Sequence, residues 1–283
     1  MVRAPSAPER VVRSGPSFPN LNSQRRDACP SLGQGLDLSS ASSGAPPSAA
    51  ATTAVAFRSV TKTYATSYET VSALDSVSFA VERGGVVAVV GPSGSGKTTL
   101  LNMAAALDFP TSGSVRVGAT ETSGLGRDAL QRFRNEVVGV IFQQFFLVDH
   151  LTVFGNVMVP LIPRDLPAPE KEKRVLDAIA KVGLRGKERR LPSELSGGEL
   201  QRVAVARGVV GDPQVVLADE PTGNLDSKKG AEIVDLLLAE SRERGKTVLI
   251  ATHDLRILER VDGVAFLEDG RLSRVQGRCV QTG

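Results

Sequence analysis

Tryptophan is absent from this chain of 283 residues, and aromatic side chains make up only 4% of it. Proteins that bind single-stranded nucleic acid stack bases on several aromatic rings, so the composition argues against that class. No apolar run approaches the roughly 18 to 20 residues of a membrane-spanning helix. The only two cysteines, Cys29 and Cys279, lie near opposite ends. We therefore expect neither a cysteine metal site nor a disulfide framework, and a reducing compartment.

The net charge of +3 is small and unevenly distributed. Residues 1–53 contain five arginines against three acidic residues, which gives +2 and leaves the rest of the chain near +1. Such a balance lacks the polycationic character of proteins that bind DNA or RNA. We therefore expect no nucleic-acid partner.

The composition divides the chain into three parts. Residues 1–53 are rich in Ser, Pro, Ala and Gly without periodicity, and they predict a disordered tail because they cannot bury enough apolar surface to offset their ordering entropy. A wrongly assigned start codon or an organelle transit peptide is an alternative explanation. Residues 54–275 carry the pattern of one ordered domain, and residues 276–283 predict a short C-terminal tail.

Within the ordered domain, short apolar runs alternate with helical patterns. Val86–Val90 and residues 215–218 are continuous apolar runs, which are typical of strands buried on both faces. Asp269-Gly270 predicts a hairpin turn. The alternation predicts an α/β fold with a mainly parallel sheet. Residues 144–210 interrupt it with helices and loops, which indicates an inserted helical subdomain.

A glycine-rich segment follows Val86–Val90. Gly91-Pro-Ser-Gly-Ser-Gly-Lys97-Thr98 matches the phosphate-binding pattern G-x-x-x-x-G-K-[ST] and opens a helix. Its glycines let backbone N–H groups turn towards phosphate oxygens, and the helix N-terminus favours negative charge. Lys97 should reach the β- and γ-phosphates, and the Thr98 hydroxyl should bind Mg²⁺. The predicted nucleotide contacts are Gly91, Pro92, Ser93, Gly94, Ser95, Gly96, Lys97, Thr98 and Thr99. This motif alone leaves kinases, GTPases and many ATPases open.

Two acids end the apolar run at 215–218. In phosphate-loop proteins an acid at the position of Asp219 holds Mg²⁺, directly or through water. Glu220 is placed to accept a proton from an attacking water or to orient it. The alternative is an acidic pair that caps a strand at the surface.

Leu195-Ser-Gly-Gly-Glu199-Leu-Gln201-Arg202 resembles the signature motif of ABC ATPases. We expect Ser196 to cap a helix that begins at Glu199, while Gly197 and Gly198 expose N–H groups as a second anion site.

Four further residues are similar to elements of the ABC family. Tyr64 resembles the aromatic residue that stacks on adenine, although a plain strand tyrosine is the alternative. Gln143 of Phe142-Gln143-Gln144 resembles the Q-loop glutamine, and Asp226 of Asn224-Leu225-Asp226 resembles the D-loop. His253 resembles the switch histidine that contacts the γ-phosphate. The resemblance covers about residues 54–275.

The resemblance implies a fold, two cofactors and a division of labour. The fold is that of P-loop NTPases of the ABC type, with an N-terminal antiparallel β subdomain beside the parallel core. It implies ATP and Mg²⁺, and two chains, most simply a homodimer, packed head to tail. The implied Mg²⁺ ligands are Thr98, Gln143 and Asp219, and the catalytic residues are Glu220, His253 and Lys97. The signature residues, implied to contact the partner's ATP, are Leu195, Ser196, Gly197, Gly198 and Glu199.

Two segments resemble one particular group within the ABC family. Residues 107–113 and 221–226 are similar to the group that serves lipoprotein release, macrolide export, cell division and peptide-antibiotic defence. That group implies a separate integral-membrane permease, and a peripheral position on the cytoplasmic face of the membrane. Residues 145–147 and 155–157 depart from the group where the family contacts its permease, which leaves the partner's identity open. Core packing is an equal explanation for the apolar side chains at 145–147.

Two other functions are alternatives to transport. Soluble ABC ATPases that act on DNA or ribosomes usually carry two cassettes, long coiled coils or zinc motifs, and this sequence shows none of them. An ABC protein that regulates a peptidoglycan hydrolase at the membrane remains open, because only the partner would differ. The substrate and a heterodimer also remain open.

Overall fold

The computed structural model describes residues 52–65 and 67–282. Nearly all of the predicted N-terminal tail, residues 1–53, lies outside them, and so does Cys29. Cys279 is buried. No helix in the described part of the chain is long and apolar enough to cross a membrane.

An antiparallel sheet forms one side of the molecule. Its strands, in spatial order, are β11 (Val280–Thr282), β2 (Thr70–Glu82), β1 (Thr53–Ala65), β4 (Ser112–Val117) and β5 (Thr120–Glu121). Alternation in β2 buries Val77, Phe79 and Val81 on one face, and the ring of Phe79 stacks on that of Phe57 with centroids 4.8 Å apart. The structure differs from the predicted C-terminal tail at 276–283, because β11 pairs with β2.

A second sheet of six strands lies beside it. The spatial order is β10 (Arg271–Gly277), β9 (Gly263–Glu268), β3 (Val86–Val90), β8 (Thr247–Thr252), β7 (Val215–Asp219) and β6 (Val138–Ile141). All neighbouring strands are parallel except β9 and β10. Every residue of β3 and β7 is buried, as continuous apolar runs require. The prediction of a mainly parallel core sheet is confirmed.

The parallel sheet is the middle layer of the molecule. In β3, Val86, Ala88 and Val90 belong to a core shared with the helical side, whereas Val87 and Val89 belong to a core shared with the antiparallel sheet. Successive side chains of a strand point to opposite faces, so one short strand supports both cores.

The described helices are α1 (Lys97–Ala104), α2 (Arg127–Glu136), α3 (Val153–Met158), α4 (Ala168–Lys181), α5 (Gly197–Val209) and α6 (Ser227–Arg244), with 3₁₀ turns at Val159–Leu161, Pro192–Glu194 and Leu255–Glu259. Helices α3 to α5 lie within residues 144–210 and separate β6 from β7 in sequence, although these strands are neighbours in the sheet. The predicted start of the signature helix at Glu199 is wrong: α5 begins at Gly197, with Ser196 as its N-cap. Glycine is costly inside a helix but not in its first turn, which explains the two-residue error.

The β9–β10 turn reaches both sheets. Asp269 and Gly270 have φ values of 47° and 74°, and a type I′ hairpin turn requires positive φ at both of its central residues. The Gly270 carbonyl accepts a hydrogen bond from the N–H of Asp75 (2.8 Å), and the Gly270 N–H donates to the carbonyl of Ser95 (3.1 Å). This turn therefore links β2 to the loop that follows β3.

Candidate functional site

The site is built where β3, β7 and β8 end, because the carboxyl ends of parallel strands meet at one edge of the sheet. Residues 91–96, between β3 and α1, form the phosphate loop. Gly96 has a φ of 100°, which permits the loop to turn into α1 at Lys97. A Cβ on Gly91 would lie 2.0 Å from the carbonyl oxygen of Leu267, so only glycine fits there.

Lys97 points its ammonium back over this loop. Nζ donates hydrogen bonds to the carbonyls of Gly91 (2.9 Å) and Pro92 (2.8 Å). The same atom lies 3.8 Å from Oε1 of Glu220, and both side chains are nearly buried. A positive charge is thus fixed between the loop and the acid that follows β7.

Glu220 has an unusual backbone conformation. Its φ is 45°, a left-handed value that is uncommon for residues other than glycine and recurs at functional sites. The Glu220 N–H donates to the carbonyl of Ala251 in β8 (2.9 Å), which holds the strand end in place. Oε1 of Glu220 contacts Nδ1 of His253 at 3.0 Å, and Oε2 is buried without a hydrogen-bond partner.

Asp219 lies beside Thr98. Burial raises the pKa of the Asp219 carboxyl above its ordinary value; a hydrogen bond from Thr98 opposes this shift, and the charge of Glu220 adds to it. Oδ1 of Asp219 is buried without a hydrogen-bond partner. A hydroxyl beside a carboxylate with an unsatisfied oxygen is the donor chemistry that a hard divalent cation prefers, so these residues fit Mg²⁺. No group of three His, Cys, Asp or Glu side chains among the described residues offers a metal site of another kind.

Several of these residues, but not Gly91 or Asp219, line a cleft of about 500 Å³, which we call the phosphate cleft. Six of the predicted nucleotide contacts line it together with Gln143, Glu220 and His253; the six are Ser93, Gly94, Gly96, Lys97, Thr98 and Thr99. Val71, Ser72 and Ala73 complete one wall and were missed by the sequence analysis. No motif marks them, because only the pairing of β2 with β1 carries them there.

Tyr64 lies in β1, outside the lining of the phosphate cleft but close to it. The residue is 39% exposed, and its hydroxyl donates to Oδ2 of Asp108 at 2.7 Å. Thr99, which lines the cleft, lies beside Tyr64. Asp108 lies in the segment 107–113, which resembles one group within the family. No pattern in the sequence predicted its contact with Tyr64.

The signature segment, residues 195–199, does not line the phosphate cleft of its own chain. Oε2 of Glu199 accepts hydrogen bonds from the N–H (2.8 Å) and the hydroxyl (3.0 Å) of Ser196. A hydrogen-bonded ion pair with Lys187, followed by the Ser196 N–H, lowers the pKa of Glu199 to about 2. A Cβ on Gly197 would meet no atom within 4 Å, so this face of the segment is open.

Asp226, Gly198 and Gln143 are connected around the start of α6. The Asp226 carboxylate caps α6 by accepting from the N–H of Lys229 (3.0 Å), and a Cβ on Gly198 would lie 2.9 Å from Cδ of Lys229. The side-chain amide of Asn224 donates to the carbonyl of Gln143 (3.0 Å). The segments around 143, 198 and 226 are therefore neighbours within one chain.

Comparison with known families and structures agrees with this geometry. Residues 74–223, more than half of the chain, match the model of the ABC transporter family. An uncharacterised ABC transporter ATP-binding protein of Thermotoga maritima is 42% identical over 213 residues, which cover 75% of this chain and 91% of that protein. The macrolide export ATP-binding/permease protein MacB of Burkholderia thailandensis is also 42% identical over 213 residues, which cover 75% of this chain but only 32% of MacB.

Among solved structures, a dimeric ATP-binding cassette, MJ0796, in a post-hydrolysis state with ADP and Pi superposes with a TM-score of 0.74 at 39% identity. The match covers 79% of this chain and 98% of that one. A protein named MJ0796, from Methanocaldococcus jannaschii, is 40% identical over 224 residues, 78% of this chain and 95% of that protein. The cassette fold is therefore shared along most of this chain, and the chain belongs to the ABC transporter family as an ATP-binding, ATP-hydrolysing subunit.

Proposed function

We propose that this chain hydrolyses ATP in a pair of sites shared between two copies of itself, and that the resulting motion drives a separate membrane permease. The observation that carries the chemistry is that Oε1 of Glu220 lies 3.8 Å from Nζ of Lys97 and 3.0 Å from Nδ1 of His253. The sequence motifs predicted each of these residues independently.

In this proposal the phosphate loop holds ATP through its backbone N–H groups, and Lys97 neutralises the β- and γ-phosphates. Glu220 orients the attacking water and accepts its proton, and its unsatisfied Oε2 is the available acceptor. His253, at the end of β8, donates to the γ-phosphate. Charge that develops on the γ-phosphate is thus met by two positioned donors.

Thr98, Asp219 and Gln143 would hold Mg²⁺. When bound, the cation supplies charge neutralisation across the phosphates and fixes their orientation. Asp219 contributes the carboxylate oxygen that is buried without a partner, Thr98 contributes the hydroxyl beside it, and Gln143 contributes its amide from the lining of the cleft.

The second copy is required because the signature segment lies outside the phosphate cleft of its own chain. Ser196, Gly197 and Gly198 at the start of α5 offer N–H groups to an anion, and Gly197 has open space before it. A partner's ATP would fill that space, and Leu195 and Glu199 would flank it. The γ-phosphate then provides the differential contact that favours the closed pair over the open one. The dimeric relatives support this arrangement.

A permease partner is supported by two observations. The MacB relatives are named as ATP-binding/permease proteins, and this chain spans about a third of their length. Phe146 is 61% exposed, and its ring packs against that of Phe142 with centroids 5.3 Å apart. Both rings line a groove between the parallel sheet and the helical subdomain. Leu147, in contrast, packs against the core. The permease would hold the chain at the cytoplasmic face of the membrane.

Light scattering of purified Glu220→Gln protein, with and without ATP and Mg²⁺, tests the two-chain site. We expect a monomer without ATP and a dimer with it, because nucleotide binding survives while hydrolysis no longer releases the clamp. The dimer should disappear in the double variant with Lys97→Ala. A Glu220→Gln chain that binds ATP at micromolar protein concentration yet stays monomeric would overturn the homodimer.

A further inference from the structure

Tyr64 is one of three side chains that form a closed cluster at the edge of the antiparallel sheet. Its hydroxyl donates to Oδ2 of Asp108 at 2.7 Å, and Nζ of Lys62 donates to Oδ1 of the same carboxylate at 2.6 Å. Lys62 also donates to the carbonyl of Phe109 at 2.8 Å. One carboxylate thus holds both a phenol and an ammonium from β1.

The Tyr64 ring is held at its hydroxyl by Asp108 and on one face by Lys62. Nζ of Lys62 lies 4.9 Å from the centre of the Tyr64 ring, so a cation covers one face. Asp108 itself is held by the Phe109 N–H, which donates to Oδ1 at 2.7 Å. A carboxylate with one oxygen on Lys62 and the other on Tyr64 leaves the ring little freedom to rotate about its χ angles.

The cluster lies next to the phosphate cleft. Thr99, the third residue of α1, lies beside Tyr64 and also lines the cleft. Thr98, its neighbour, is one of the residues expected at the metal and the phosphates. A base that extends from phosphates bound at Lys97 and Thr98 would therefore reach the uncovered side of the Tyr64 ring.

We propose that Asp108 is a positioning residue for the nucleotide base: it locks Tyr64, with Lys62 behind it, into a preformed stacking platform. The inference rests on the proposed function, in which Tyr64 stacks on the base of ATP. Pre-organisation strengthens binding because the ring need not be immobilised when the nucleotide arrives. The lock acts on the base alone, so that a ligand without a base gains nothing from it.

The size of the effect follows from the freedom of one aromatic side chain. Releasing the ring should weaken nucleotide binding about three- to tenfold, the cost of immobilising one side chain on binding. Tyr64→Phe keeps the ring and removes only the hydroxyl bond, whereas Asp108→Asn keeps the shape and weakens both contacts. Because both changes break the same link, their effects should not add in the double variant.

The test is calorimetric titration of the full chain with ADP and, separately, with inorganic tripolyphosphate, which has no base. Asp108→Asn and Tyr64→Phe should each weaken ADP binding about three- to tenfold, alone or combined, and leave tripolyphosphate binding unchanged. In steady-state assays the KM for ATP should rise with little change in kcat. Asp108→Glu, which keeps the charge, should recover part of the ADP affinity.

The outcomes separate this inference from the proposed function. If Tyr64→Leu weakens ADP binding while Asp108→Asn and Tyr64→Phe do not, the stacking role stands and the lock is wrong. If Tyr64→Leu has no effect either, the stacking role fails and the lock fails with it. If Asp108→Asn weakens tripolyphosphate as much as ADP, Asp108 supports the phosphate loop, and its assignment to the base is wrong. Tyr64→Phe leaves the Lys62–Asp108 pair intact, so it remains informative if Asp108→Asn folds poorly.

Discussion

Nδ1 of His253 lies 3.0 Å from Oε1 of Glu220, across the ends of the adjacent parallel strands β7 and β8. The two side chains were predicted from separate motifs, and the strand pairing brings them together. Because Glu220 adopts a left-handed backbone conformation, its carboxylate is directed to one side of the strand end, where His253 and Lys97 meet it.

Glu220→Gln should reduce the rate of ATP hydrolysis about 10²- to 10⁴-fold, the usual contribution of a general base. The amide keeps the size of the side chain but cannot take the proton of the attacking water. Nucleotide affinity should change little, since the phosphate loop is intact. Phosphate release measured at saturating ATP, beside a binding titration, checks both statements. Hydrolysis within fivefold of the native rate would remove Glu220 from the base role.

Gly197→Asp should abolish hydrolysis without harming the fold. The space before Gly197 is open and its φ lies outside the left-handed region, so the new side chain fits and the free energy of unfolding should change by less than about 0.5 kcal/mol. In a two-chain site the added negative charge faces the partner's ATP, and such like-charge contacts cost several kcal/mol. We expect more than a hundredfold lower activity, with nucleotide binding to the isolated chain retained.

Gly126→Asp is the matched control for Gly197→Asp, because Gly126, the N-cap of α2, also lies at the start of a helix, with open space before it and an ordinary φ of −68°. Its activity should stay near the native value. Comparable losses in both variants would show that added surface charge, and not a signature contact, causes the effect.

Gly91→Ala should destabilise the protein by about 1–3 kcal/mol or more, because the added methyl would collide with the Leu267 carbonyl and Ser95 Oγ. For a chain of this size that corresponds to a fall in Tm of several degrees. Gly126→Ala, which meets nothing within 4 Å, is the control. Thermal unfolding followed by circular dichroism measures the difference, and equal Tm values would contradict the close packing of the loop on β9.

The carboxylate of Glu199 makes the free energy of unfolding depend on pH in the acid range. Its pKa is lowered from 4.5 to about 2 by Lys187 and the Ser196 N–H. A carboxylate with a depressed pKa contributes stability that is fully present above its unfolded value, near pH 4.5, and is lost as the pH falls towards 2. The difference in unfolding free energy between the native chain and Glu199→Gln should therefore be constant above pH 5 and shrink below pH 4.5.

Urea unfolding at pH 7, 5, 4 and 3 checks this dependence. Glu172→Gln, which removes an exposed carboxylate from α4, controls for the general loss of one negative charge. A difference that grows as the pH falls would contradict the assigned role of Lys187.

Much of the parallel core could be read from sequence because its signals are local. Val86–Val90 has the predicted bounds, since a run of five apolar residues rich in valine has the length and composition of a buried strand. Glu220 and His253 directly follow β7 and β8, and Lys97 and Thr98 follow β3 after the phosphate loop, so the sheet edge determines where they meet.

Other features had no local signal. Val71, Ser72 and Ala73 reach the phosphate cleft only because β2 pairs with β1, and their own polarity suggests nothing. The strand Val280–Thr282 is too short to show periodicity and exists through its pairing with β2. Asp108 contacts Tyr64 across 44 residues of sequence, and a contact of that kind depends on the completed fold.

The turn at Asp269 and Gly270 has a consequence for the length of that connection. The Gly270 carbonyl accepts from the N–H of Asp75, and the Gly270 N–H donates to the carbonyl of Ser95. A longer β9–β10 loop would move both groups out of hydrogen-bond distance. We therefore expect that insertions, which surface hairpins usually accept, destabilise this one. The conformation of the phosphate loop therefore depends in part on a turn far downstream in the sequence. A chain truncated before Asp269 would keep every residue of the loop, but it would lose the hydrogen bond that holds Ser95 in place.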